Sequence, residues 1–357
     1  MDSKFCTDYP WVSSPVIINA PMEAAAGDEL ATEVTKAGGI GMIGSAVNMD
    51  DLEAKLERAK ESLASYPKMS SRSTLPLGID LLPFVSKLDR AISIIAKYKP
   101  AIVWLFAAKV FDDYATWTLA IRQQSPETKI WIQVGSVTAA LQVAKLCHPD
   151  VLVLQGADAG GHGFERGASI VSLVPEAADV LRANGFGDLP LVAAGGLADG
   201  RGVAAALALG AVGAVMGTRF LAAAEARTHP QYRAALLKAK DGAMSTVRSK
   251  VFDELNGPSV WPELYDGRAL ATNSYIDAAD GVAIEKIRER HKEAIEDGDA
   301  GFGEKNPRAA VWAGAGVGIV NDVKPAAEIV MEVRNAVIGI LSRLSASASS
   351  EGKLSLL

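Results

Sequence analysis

Short uninterrupted apolar runs alternate along this chain with longer stretches whose apolar positions recur at helical spacing. The runs read as strands: VIINAPM (16–22), IGMIGSA (40–46), LPLGIDL (75–81), AIVWLFA (101–107), KIWIQV (129–134), VLVLQG (151–156), PLVAAGG (190–196) and AVGAVMGT (211–218). Each is followed by a plausible helix, beginning with residues 28–37. A strand that is apolar at every position suits a parallel sheet covered on both faces. Eight βα units are the number that closes a barrel, so the pattern predicts an α/β fold, a (β/α)8 TIM barrel. A doubly wound open sheet is the alternative that a strand count leaves standing. After the eighth strand the rhythm breaks. Residues 229–310 read as helices and loops, including the charged stretch GVAIEKIRERHKEAIEDGD, before AVWAGAGVGIV and an amphipathic helix near 325–343. The expected organisation is a barrel over 1–228, an inserted mainly helical cap over 229–310, a return to the barrel over 311–343, and a disordered tail over 344–357.

Composition narrows the class of partner. The 357 residues carry a net charge of −6 without a long basic run, which speaks against nucleic acid. The cysteines, Cys6 and Cys147, have no CxxC neighbour, so neither a disulfide scaffold nor a metal site is expected, and a reducing cytoplasm fits. No window approaches the roughly 20 apolar residues of a membrane span, and the N-terminus lacks an apolar signal core.

The glycines need sorting before they can be used. GGIGMIG contains G-x-G-x-x-G at Gly39, Gly41 and Gly44, but a dinucleotide fingerprint follows a strand and opens a helix. Here the order is reversed, and Gly38 or Gly39 reads as a helix C-cap. The stronger signal is a pair of turns, Gly195 and Gly196 after the seventh strand, Gly217 and Thr218 after the eighth. In barrels these two loops commonly bind phosphate through backbone N–H groups. Arg219 could add charge there or pair with a carboxylate.

Histidine is scarce, with four in the chain, and His162 lies in GADAGGHG directly behind the sixth strand, on the face where barrel active sites are built. A neutral imidazole there suits proton abstraction from carbon, and the adjacent Gly160 and Gly161 allow close approach of a ligand. His148 precedes the sixth strand on the opposite face, while His229 and His291 fall in the cap segment, so all three read as structural. Asp158 could orient His162 or simply form the turn. Gln155, Lys109 and Gln133 end strands six, four and five at the rim, without defined partners.

The segments NAPM (19–22), QGADAGGHG (155–163), AAGGLADGRGVAAALALGA (193–211), VMGTRFLAAAEA (215–226) and AGAGVG (313–318) together resemble the nitronate monooxygenase family, formerly 2-nitropropane dioxygenases, in register from about residue 15 to about residue 340. The resemblance implies a (β/α)8 flavoprotein with non-covalent FMN, its phosphate at Gly195, Gly196, Gly217 and Thr218. It also implies a flavin lined by Ala20, Pro21, Met22, Asp80, Gln155, Gly160 and Gly161, and a catalytic His162. The implied reaction is oxidation of an alkyl nitronate or nitroalkane by dioxygen to a carbonyl compound and nitrite, through a flavin semiquinone, with His162 as base or as partner of the nitro group. The expected partners are thus a small-molecule substrate and dioxygen, with a homo-oligomer possible and neither nucleic acid nor membrane involved. Asp80 stands where many members carry Asn, and Ala315 where many carry a polar residue. Three other functions compete: an FMN-dependent NAD(P)H:quinone or enoyl-thioester reductase, a non-redox lyase or isomerase of a phosphorylated metabolite, and a barrel-shaped binding protein.

Overall fold

In a computed structural model, which describes residues 3–44, 47–67 and 73–354, the apolar runs fold as parallel strands. They are β1 (Val16–Asn19), β2 (Met42–Ile43), β3 (Leu75–Leu81), β4 (Pro100–Leu105), β5 (Lys129–Val134) and β6 (Val151–Gln155). A short additional strand, β7 (Gly161–Phe164), precedes β8 (Leu191–Ala194) and β9 (Gly213–Met216). Among the described residues, eight of these pair in the order β1-β9-β8-β6-β5-β4-β3-β2, and a parallel bridge between Ile18 and Ile40 joins the two ends. The sheet is therefore closed, which removes the open-sheet alternative. The order also places β8 and β9 as the seventh and eighth barrel strands.

The closing seam has few ladder bonds, and a side chain completes it. Asn19 is fully buried; its amide donates to the Met42 carbonyl at 2.8 Å and accepts from the Met42 N–H at 2.9 Å. A buried amide can satisfy a peptide's donor and acceptor together, which an apolar residue cannot. The N-terminal end of the barrel is filled from outside the repeat. Phe5, Tyr9 and Trp11 are buried, and the Tyr9 hydroxyl accepts from the Trp131 indole at 2.7 Å. Burial raises the Tyr9 pKa well above its ordinary value, so the phenol stays protonated.

Helices follow each barrel strand, from Asp28–Lys36 after β1 to Gly200–Ala208 after β8. The helix Ala326–Leu354 packs on both Gly200–Ala208 and Asp28–Lys36, and so occupies the eighth position in the ring. Residues 222–325 are thus inserted between the eighth strand and its helix, at the C-terminal rim. That helix also runs through the segment expected to be a loose tail, ending at Leu354. Its Ala, Ser, Glu and Lys residues carry no proline, and Gly352 comes only in the last turn.

The inserted segment contributes helices Pro230–Lys238, Asn273–Ala279 and Ile284–Ala294, and also strands β10 (Thr246–Ser249) and β11 (Tyr265–Leu270). Among the described residues these form an antiparallel sheet in the order β10-β11-β7. The connection behind β6 is consequently not an irregular loop, because its second half is a strand paired to the insertion. In that pairing His162 stands opposite Gly267.

The decoy glycines have packing roles. Gly38 adopts φ +78° beyond the helix ending at Lys36, as a C-cap turn requires, and Gly41 lets the chain pass the Ala31 carbonyl too closely for any side chain.

Candidate active site

The two glycine turns and the β1 exit meet at one place on the rim. Gly195 and Gly196 adopt φ +105° and +74°, conformations open to glycine without strain. Neither amide is used in a backbone hydrogen bond among the described residues, and both are partly accessible. A Cβ added to Gly217 would meet nothing nearer than Ala20 at 3.7 Å and Met22 at 4.0 Å, and one added to Gly161 nothing within 4 Å. Ala20, Pro21 and Met22 are themselves partly accessible. Bare backbone donors, a hydroxyl at Thr218 and open space beside them suit an anionic group and a flat ligand.

The stretch 313–318, expected as part of the return to the barrel, belongs to the insertion and passes over this rim. The Gly314 N–H donates to Thr218 Oγ1 at 3.0 Å, and the Ala315 N–H to the Asp158 carbonyl at 2.9 Å. A Cβ on Gly160 would lie 2.4 Å from the Ala313 carbonyl carbon and the Gly314 nitrogen. Glycine at 160 therefore lets two backbones touch. AGAGVG, quoted above only for its likeness, is structurally part of the site.

Within the barrel, register and alternation put Asp80, Trp104 and Gln133 on the inward face. Trp104 donates from its indole to Gln133 Oε1 at 3.1 Å, so Gln133 is held below the rim. Asp80 is buried on β3. Gln155 ends β6 and donates from Nε2 to the His162 carbonyl at 3.0 Å, locking β7 to β6. Lys109 is exposed. Arg219 is buried and held by Asp322, with both a carbonyl and a carboxylate contact at 2.8 Å, so its charge is already taken.

His162 has partners that its sequence neighbourhood does not contain. Its Nε2 lies 2.6 Å from Asp253 Oδ1, and Asp253 is almost fully buried on the short helix Val251–Glu254. The orienting carboxylate is therefore Asp253. Asp158 instead faces Arg268, whose guanidinium donates to the Ala157 carbonyl and to Thr246. Burial, and then the neighbouring Arg248, hold the Arg268 pKa below its ordinary value. Trp261 stacks on the imidazole at 3.6 Å and 8°, and Trp312 leans on it at 4.7 Å and 50°. Trp312 in turn packs on Gly267, where any side chain would collide with its ring.

The other histidines stay outside this group. His148 caps a helix at φ +45°, His229 accepts from the Gln231 N–H at a helix start, and His291 is buried in the insertion. Among the described residues no cluster of metal-ligating side chains exists, and no helix is long and apolar enough to cross a membrane. A groove of about 640 Å³ beside Phe186 and Pro190 opens at the strands' N-terminal end, away from His162.

Sequence and structure comparisons place the chain among known proteins. The sequence profile of the nitronate monooxygenase family matches residues 84–335. The chain is 44% identical to nitronate monooxygenase npaC of Metarhizium robertsii over 342 residues, 94% of this chain and 95% of that one. It is 38% identical to a nitronate monooxygenase of Neurospora crassa, over 97% of this chain and 95% of that one. By shape it is similar to FabK of Thermotoga maritima, with a TM-score of 0.74 at 23% identity over 97% and 99% of the two chains. It is likewise similar to nitroalkane oxidase of Streptomyces ansochromogenes, at 0.71 and 20% over 92% and 98%. At those identities the structural likeness speaks for the barrel fold alone.

Proposed function

This chain belongs to the nitronate monooxygenase family, whose members are FMN-dependent oxidoreductases acting with dioxygen, and we propose that its own reaction is oxidation of alkyl nitronates, and of the nitroalkanes that give rise to them. The observation that supports this most directly is a half-buried histidine, His162, held against two tryptophans at the rim that carries the glycine turns.

The residues present fit FMN. Gly195, Gly196, Gly217 and Thr218 would hold its phosphate. Thr218 Oγ1 accepts from Gly314 and keeps its own O–H to donate. Ala20, Pro21, Met22, Gly160 and Gly161 would border the ring system, with Asp80 and Gln155 at its polar edge. Bound there, FMN supplies the acceptor for electrons from the nitronate and returns them to dioxygen.

The remaining work falls to the chain. His162 accepts the α-proton of a neutral nitroalkane; with a preformed nitronate no proton moves, and the ring only holds the anion. Trp261 and Trp312, the latter backed by Phe252, wall the histidine and keep bulk water from the carbanion-like carbon. The products are a carbonyl compound and nitrite, with both oxygen atoms of one dioxygen serving two nitronates.

The test is nitrite release under air by the purified yellow protein, with a nitronate and with its parent nitroalkane. His162→Asn is expected to lower turnover of the nitroalkane by roughly 10²-fold or more, the range of general base catalysis, and that of the nitronate much less. Bound FMN with no turnover of either substrate, or rapid anaerobic bleaching by NADH without nitrite formation, refutes the proposal.

A further inference from the structure

We infer that Asp253 is a positioning residue that holds the proton of His162 on Nε2, so that Nδ1 is the atom that accepts the substrate proton. The inference rests on the reading of His162 as a proton acceptor.

The first step is valence. An ionised carboxylate has no hydrogen to donate, so at 2.6 Å the Nε2 atom must be the donor to Asp253 Oδ1. A neutral imidazole carries one N–H, which leaves the lone pair on Nδ1. That nitrogen makes no hydrogen bond to a described residue, nor is it among the sealed, unpartnered polar atoms.

The second step is charge. Asp253 Oδ2 is sealed from solvent and has no hydrogen-bond partner among the described residues, so among them the imidazole is the only group bonded to this carboxylate's side-chain oxygens. Other charged groups on the packed elements have partners of their own. Arg248 is held by Asp266, Arg268 by Ala157 and Thr246, Arg288 by the Glu254 carbonyl, and Asp277 by Arg290 and Arg308. His291, the remaining histidine on the helix Ile284–Ala294, is buried with Arg308 as its charged neighbour. The carboxylate and the ring are thus paired in a nearly dry setting, with the face of Trp261 closing one side.

The third step is geometry. Trp261 fixes the ring plane and Asp253 fixes its rotation, so the Nδ1 edge has one direction. The contact spans 91 residues and is made by the insertion, so the insertion's seating sets the aim of the base.

The test uses the FMN-loaded enzyme with 15N-labelled histidine. Long-range 1H–15N correlation spectra, assigned with His162→Asn, report the tautomer of this ring. The expected result is the Nε2–H tautomer in the wild-type protein and a mixture of both tautomers in Asp253→Asn. In Asp253→Asn, kcat for a neutral nitroalkane should fall roughly ten- to a hundredfold and nitronate turnover less, and Asp253→Glu should recover part of the loss. A purely structural contact would lower both substrates' rates together and leave the tautomer alone. An Nδ1–H tautomer in the wild-type protein overturns the inference, and that measurement stands even where the variants fail to fold. Should the tautomer follow expectation while no nitro compound is oxidised, the proposed reaction falls and the positioning role of Asp253 remains.

Discussion

Replacing Gly160 with alanine is the sharpest perturbation of the rim, because the obstacle is backbone. The new methyl would stand 2.4 Å from the Ala313 carbonyl carbon and the Gly314 nitrogen. Ordinary carbon contact begins near 3.4 Å, so one of the two segments must retreat by about 1 Å, and a displacement of that size beside reacting atoms can lower rates about a hundredfold. Neither segment moves alone. The 313–315 stretch is tied to Thr218 and Asp158, while residue 160 lies two positions before His162. The strain itself should lower stability by about 1–3 kcal/mol. Gly185→Ala, at the turn beyond the helix Ile170–Ala183, is the control, since its methyl would meet nothing within 4 Å and only the φ of +84° opposes it, at about 1–2 kcal/mol. Nitrite release and FMN retention, measured beside thermal unfolding, separate the two. Gly160→Ala should lose activity and cofactor out of proportion to its stability change, and Gly185→Ala should not. Equal activity in the two variants at similar stability would refute the close contact as the reason for glycine at 160.

Two further outcomes concern the scaffold. Asn19→Leu keeps the volume but leaves the Met42 N–H and C=O without partners at the barrel seam, where each orphaned group costs about 1–3 kcal/mol; circular dichroism should show melting several degrees lower, and a shift within about 1 °C would show that the seam closes without the amide. Burial, reinforced by Arg308, depresses the His291 pKa, so the folded state binds its proton less readily than the unfolded chain. Its contribution to stability is therefore present above the ordinary histidine pKa near 6.5 and is lost as pH falls. His291→Leu should flatten the decline of the melting temperature between about pH 7.5 and 5.5, and an unaltered slope would place that decline elsewhere.

The parts legible in the sequence are those in which the physical cause is local. A parallel strand covered on both faces must be apolar throughout, so VLVLQ and AIVWLFA announced themselves, and the glycine turns behind strands seven and eight could be ordered along the rim by counting. His162 was found by the same count. Its partners were not, because nothing near 162 encodes them: Asp253, Trp261 and Trp312 all come from the insertion, which has no regular periodicity. GHGF and YDGRAL are too short and too polar to read as strands, and they become strands only by pairing, GHGF with YDGRAL and YDGRAL also with TVRS. The N-terminal aromatics show the same limit, since Tyr9 has meaning only against Trp131, 122 residues away.

That division bears on how the site works. The barrel alone presents the glycine turns and a histidine on a β6 connection; it supplies neither the carboxylate bonded to that ring nor the indole stacked on it. Both arrive with the β7–β11 pairing, in which His162 stands opposite Gly267 and Trp312 lies over that glycine. A side chain at 267 would push Trp312 off the sheet and release one wall of the imidazole, while leaving the glycine turns untouched. The glycine turns and the partners of His162 therefore belong to separate pieces of chain, which meet at Gly160 against Ala313 and at Thr218 against Gly314 among other contacts. A chain that retained the barrel and altered the insertion could keep its flavin and change what its histidine is asked to do.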